Sequence, residues 1–93
     1  MKEAINEIEV LSWAIKVFGD KAQEEVAMEE LAELITAISH KHRGRPHNIA
    51  EEIADVEIML EQLKIINQCA DQVALVRKEK ILRLYDRTFD ACL

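Results

Sequence analysis

The stretch EELAELITAISHKHRGRPHNIAEEIADVEIMLEQL, residues 29–63, decides the fold. Apolar residues recur every three to four positions on both sides of its middle. Leu31, Leu34, Ile35 and Ile38 come before; Ile53, Val56, Met59, Leu60 and Leu63 come after. That is the period of an α-helix. Between the runs lies Lys41-His42-Arg43-Gly44-Arg45-Pro46-His47. A Gly and a Pro this close together end one helix and separate it from the next. Asn48 then offers an N-cap, with Glu51 at the capping-box position three residues on. The stretch predicts two helices folded back on each other as a hairpin.

Working outward, the same period predicts a first helix over residues 2–18, with Ile5, Ile8, Leu11 or Ser12, Ile15 and Phe18 on one stripe. Gly19 reads as its left-handed C-terminal residue. Asp20 reads as the next N-cap, with Gln23 completing a capping box, so the second helix is expected over residues 21–42. Toward the C-terminus the end of the third helix is less marked, because residues 67–71 hold neither Gly nor Pro. A break is placed at residues 68–71, with Asp71 as N-cap; one continuous helix is the alternative. A fourth helix is expected over residues 72–89, with Leu75, Ile81, Leu82, Tyr85 and Phe89 as its packed face.

Composition agrees with an all-α, four-helix bundle-like fold. The 93 residues form one domain, residues 1–93, and hold only two Gly and one Pro. Apolar residues make up 49% and charged residues 32%, a globular balance. So short a chain leaves apolar surface uncovered, which predicts a homo-oligomer, a dimer or a tetramer. The net charge of −6 argues against a nucleic-acid polymer as partner. No apolar run approaches the roughly 20 residues of a membrane span. No leader pattern opens the sequence, and Cys69 and Cys92 lack metal-type spacing, so reduced, inert thiols and a cytoplasmic location are expected.

The chemistry-bearing feature lies inside the hairpin. Glu30 and Glu33 are three apart on the second helix; Glu52 and Asp55 are three apart on the third. Each pair shares a helix face, and the hairpin sets the two pairs against each other. Four converging carboxylates repel unless a cation offsets them. An all-oxygen donor set favours hard cations such as Mg²⁺, Mn²⁺ or Ca²⁺ over zinc. Acid pairs on helices are commonly only solvated surface. Two features oppose that here. Leu31, Leu34, Ile53 and Val56 bracket the acids, and no basic residue lies between Lys21 and Lys41 or between Asn48 and Lys64 to pair with them.

EELAEL followed by AEEIADVEIMLEQL resembles the all-α nucleoside triphosphate pyrophosphohydrolases of the MazG and dimeric dUTPase superfamily, especially the short single-domain members from phages and their hosts. That family carries ExxE on one helix and ExxD on the next, matched by Glu30, Glu33, Glu52 and Asp55. The match is good over residues 23–63 and weaker through residues 80–84, where the family often has Lys-x-x-Arg; here these are Lys80 and Arg83. The resemblance implies Mg²⁺-dependent cleavage of a (d)NTP between its α and β phosphates, giving a nucleoside monophosphate and pyrophosphate. It also implies that the four acids hold the metal and act in catalysis. One of them, or Glu29 or Glu51, would take the proton of the attacking water.

Lys80 and Arg83 are the expected phosphate ligands, with Arg77 and Arg87 extending their stripe or forming a solvated basic face. Lys41, Arg43 and Arg45 are expected to be a solvated loop. His40, His42 and His47 form no Glu-x-x-His pair of the di-iron type and are expected to be loop residues. Trp13 and Phe18 are expected to cap the core, with stacking on a base as the alternative; Asn67 is read as a helix-end residue or a nucleoside contact. The competing function is a non-catalytic, acidic helical interaction module.

Overall fold

The computed structural model describes residues 4–93. Among them are four helices and no strand: α1 (Glu7–Phe18), α2 (Asp20–His42), α3 (Ile49–Ile66) and α4 (Ala70–Cys92). The all-α class read from the sequence is the class observed. Residues 2 and 3 of the expected first helix lie outside the described residues. α1 itself starts at Glu7, because the Asn6 side chain caps it by accepting from the Glu9 N–H at 3.1 Å.

Gly19 joins α1 to α2 without a linker. Its φ of 95° is open to glycine and rare for other residues. Its N–H donates to the Ile15 carbonyl at 2.8 Å, and its carbonyl accepts from the Gln23 N–H. This replaces the Asp20–Gln23 capping box expected from the sequence. Gly19 is itself the N-cap, Asp20 is the first helical residue, and no side chain caps α2. Asp20 still favours the helix start through its charge.

α2 and α3 close with the same device. After α2, the Gly44 N–H donates to the Lys41 carbonyl and the Arg45 N–H to the His40 carbonyl. This is a Schellman motif, with Gly44 at φ 68° in the left-handed position. After α3, the Gln68 N–H donates to the Ile65 carbonyl and the Cys69 N–H to the Lys64 carbonyl, with Gln68 at φ 51°. The break after α3 is therefore real and sits slightly earlier than expected. Cys69, not Asp71, is the N-cap of α4, and Asp71 lies within its first turn. Asn67 has the helix-end role, its Nδ2 donating to the Leu63 carbonyl at 2.9 Å.

α2 and α3 make by far the most extensive contact, and α1 leans on both. The core comprises Ile15, Ala27, Ala37, Val56 and Met59. The buried face of α2 is rotated from the expected one. Gln23, Ala27 and Ala37 are buried and Val26 and Leu34 half-buried, while Leu31, Ile35 and Ile38 are exposed. The apolar residues that α2 buries are both alanines, set in a core with the larger Ile15, Val56 and Met59.

α4 touches only α3 and buries no residue. The packed face expected there, Leu75, Ile81, Leu82, Tyr85 and Phe89, is exposed throughout. Tyr85 stacks on Phe89 at 6.3 Å between ring centroids, within its own helix. Trp13 and Phe18, expected to cap the core, are also exposed, Trp13 at 68%. The radius of gyration is 16.7 Å, against about 12 Å for a compact chain of this length. No helix among the described residues is long and apolar enough to cross a membrane.

Candidate metal centre

The buried stripe of α2 runs Gln23, Ala27, Glu30, Ala37, and that of α3 runs Glu52, Val56, Met59, Gln62, Glu30 being only half-buried. Spacings of three, four and seven keep each set on one helix face. The acids thus occupy positions in the seam where apolar side chains would ordinarily sit. Glu30, Glu33 and Glu52 each place a carboxylate oxygen within 4.8 Å of the others. Glu52 is 6% exposed, Glu30 is half-buried, and Glu33 is the open member.

Asp55 is half-buried one turn along α3 from Glu52. It stands outside that tight group of three, yet its charge acts on both Glu30 and Glu52. Of the apolar bracket read from the sequence, Val56 is buried and Leu34 half-buried, while Leu31 and Ile53 are exposed. The acids lie on the seam, but only part of the bracket does.

The electrostatics are those of carboxylates held together with no cationic side chain paired to them among the described residues. Burial pushes the Glu30 carboxyl up to about 7; the charges of Glu33 and Asp55, a hydrogen bond with Glu33 and the charge of Glu52 add to this. Burial also raises Glu52. A hydrogen bond from Asn48 opposes that rise, and the neighbouring acids reinforce it. The N-terminus of α3 helps as well, since Glu51 and Glu52 lie in its first turn, at the positive end of the helix dipole. Glu30 Oε2 and Glu52 Oε2 are nonetheless buried without a hydrogen-bond partner. A buried polar atom left unpaired is costly. Two such oxygens from different helices, beside a third carboxylate, fit a hard divalent cation, which accepts oxygen ligands and supplies the missing charge.

Asn48 was missed as a member of this site. It occupies the N-cap position of α3 but makes no capping bond from its side chain. Its Nδ2 donates to Glu52 Oε1 at 2.8 Å and more distantly to Glu51 Oε2 at 3.5 Å. The capping box expected from Asn48 and Glu51 is therefore not formed. The signal that finds Asn48 is its spacing, four residues before Glu52 on the same face. Gln62, 3% exposed with a buried unpartnered Oε1, also escaped notice.

The basic residues lie elsewhere. Lys80 and Arg83 are exposed on α4, which makes no contact with α2. They share an open surface groove with Asp86 and Arg87. Among the described residues no cation forms an ion pair with an acid of the cluster; the one pair present is Lys64 with Glu61, at 2.6 Å. No histidine joins the cluster: His40 is half-buried, His42 is exposed, and the His47 Nδ1 accepts weakly from the Ile49 N–H at 3.4 Å. Cys69 and Cys92 are both free thiols. Compared with protein-family models, with curated proteins and with solved structures, the chain finds no match.

Proposed function

We propose that this protein is a divalent-metal-dependent nucleoside triphosphate pyrophosphohydrolase that cleaves a (d)NTP to the (d)NMP and pyrophosphate. The observation that carries the reading is the pair of buried, unpartnered carboxylate oxygens of Glu30 and Glu52, gathered with Glu33 across the helix seam. A solvated acidic face would let its carboxylates point to water and spread apart. An acidic docking surface, the competing reading, likewise needs its charges outward, whereas Glu52 is almost wholly buried.

Glu30, Glu33 and Glu52 would hold Mg²⁺, or Mn²⁺ in its place, with Asp55 adjoining. When bound, the ion offsets phosphate charge and acidifies a coordinated water. In the reaction, water oxygen bonds to phosphorus, the bridging P–O bond breaks, and the water's proton passes to a carboxylate of the cluster. The exposed position of Glu33 leaves the cluster open on the side from which a triphosphate arrives.

Self-association belongs to the same proposal. A core of five apolar side chains offsets little of the conformational entropy of folding, about 1–2 kcal/mol per residue for the backbone alone. Covering the exposed faces of α1 and α4 with further copies of the chain supplies the missing burial. Lys80 and Arg83, remote from the acids of their own chain, would then contact phosphate at the acid centre of a neighbouring copy. A cytoplasmic location completes the proposal.

The test is pyrophosphate release, screened over canonical and modified NTPs and dNTPs with and without Mg²⁺. Metal-dependent release from at least one nucleotide is expected. No release from any of them overturns the reading in favour of an interaction module.

A further inference from the structure

We propose that Asn48 is a positioning residue of the metal centre: it fixes the rotation of the Glu52 carboxylate, so that one oxygen is used by the protein and the other is presented to the cation. This rests on the metal-centre reading above.

Three observations carry it. Asn48 stands at the N-cap of α3, where an asparagine side-chain oxygen ordinarily accepts from a backbone N–H of the first turn. It makes no such bond. Its amide turns instead so that Nδ2 donates to Glu52 Oε1 at 2.8 Å. An ionised carboxylate only accepts, so the nitrogen and not the oxygen of the amide must face it. Finally, the two oxygens of Glu52 are unlike: Oε1 is held by Asn48, while Oε2 is buried with no partner and belongs to the carboxylate that meets Glu30 and Glu33.

A free carboxylate rotates about its last torsion, a broad and soft one. Anchoring one oxygen removes that freedom before the metal arrives. Partners of this kind outside the ligand set orient metal ligands, and removing one typically lowers metal affinity by about 10–100-fold.

The experiment is a titration of the full chain with Mn²⁺ alone, followed by the EPR signal of the free ion, with helicity measured by circular dichroism. Asn48→Ser keeps a good N-cap but is too short to reach Glu52. It is expected to retain wild-type helicity and bind Mn²⁺ about 10-fold more weakly. Wild-type affinity in N48S overturns the positioning role and leaves the metal centre standing. Absence of Mn²⁺ binding by the wild type overturns the metal centre and the positioning role with it. If N48S loses helicity, Asn48→Asp provides the readout, since it keeps the side-chain shape and a capping oxygen but sets an anion against Glu52. Weakened binding in folded N48D supports the role, and unchanged binding overturns it.

Discussion

The α2–α3 hairpin and α4 carry the same kind of sequence pattern and meet opposite fates. Apolar residues recur at a helical period in both, more sharply segregated to one face in α4 than in α2 or α3, and α2 and α4 are each 23 residues long. The hairpin closes its seam and buries charge in it; α4 buries nothing. Periodicity states that a helix has a face to cover, not that the same chain covers it. What separates the two regions is connection. The Gly44 turn returns α3 along α2, whereas the Gln68 turn sends α4 into contact with α3 alone. Chemistry is therefore expected to be sensitive to the hairpin, and assembly to α4.

Glu33→Ala breaks the comparison most sharply. It removes the exposed acid of the cluster without opening a core cavity, so helicity should remain near wild type. Metal-dependent pyrophosphate release should fall by about 100-fold or more, as for loss of a single transition-state electrostatic contact. Wild-type turnover by folded E33A would remove the site from the hairpin. Leu82→Glu makes the opposite cut. It places a charge in the middle of the exposed apolar face of α4, and light scattering should show the mass falling toward the 10.7 kDa of one chain. An unchanged mass would mean that assembly uses another face.

Stability should divide the same way. Met59 is buried in the seam, and Met59→Ala should lower the unfolding free energy by about 2–5 kcal/mol in urea titration. Leu75 is exposed on α4. In the dissociated L82E background, Leu75→Ala should shift stability by no more than about 0.5 kcal/mol, as for a surface substitution. Equal losses at both positions would show that α4 packs within one chain after all.

Much of the hairpin was legible because its signals are local. Gly44 and Pro46 punctuate it, and the i, i+3 acid pairs need only helix geometry to share a face. The rotation of α2 was not legible: the large apolar residues nominate Leu31, Ile35 and Ile38, while the residues buried are Ala27 and Ala37, whose small side chains give a weak periodic signal. Asn48 was read by its local preference, capping, and the tertiary demand of Glu52 overrode it. On α4 the helix was legible and its exposure was not, because periodicity marks an apolar face without saying whether the rest of the chain covers it.

The acid cluster gives the hairpin a pH response. Burial raises Glu30 from 4.5 to about 7, with the charges of Glu33, Asp55 and Glu52 adding. The folded protein thus binds this proton more tightly than the unfolded chain. The stabilisation is fully present below pH 4.5 and is lost as pH rises through 7. Melting of the metal-free protein should therefore fall across that window, and Glu30→Gln should flatten the trend. Added Mg²⁺ should raise the melting temperature most at pH 8 and little at pH 5, since proton and metal compete for the same oxygens. A melting curve indifferent to Mg²⁺ at pH 8 would count against the centre.

A small effect is expected at the turn that parts the two regions. Gly44 and Gln68 occupy equivalent left-handed positions in two Schellman motifs, at φ 68° and 51°. Glycine holds that conformation freely; a side-chain-bearing residue is strained there by roughly 1–2 kcal/mol. Gln68→Gly removes the strain but adds backbone entropy to the unfolded chain, by about 0.5–1 kcal/mol. The net expectation is a gain of about 0.5–1 kcal/mol in urea titration. Gln68→Ala keeps the strain and should change stability little. If Q68G is instead less stable than Q68A by about 1 kcal/mol, the turn is not held left-handed in solution, and α3 runs on into α4 as one helix, the arrangement that the absence of Gly and Pro in residues 67–71 leaves open.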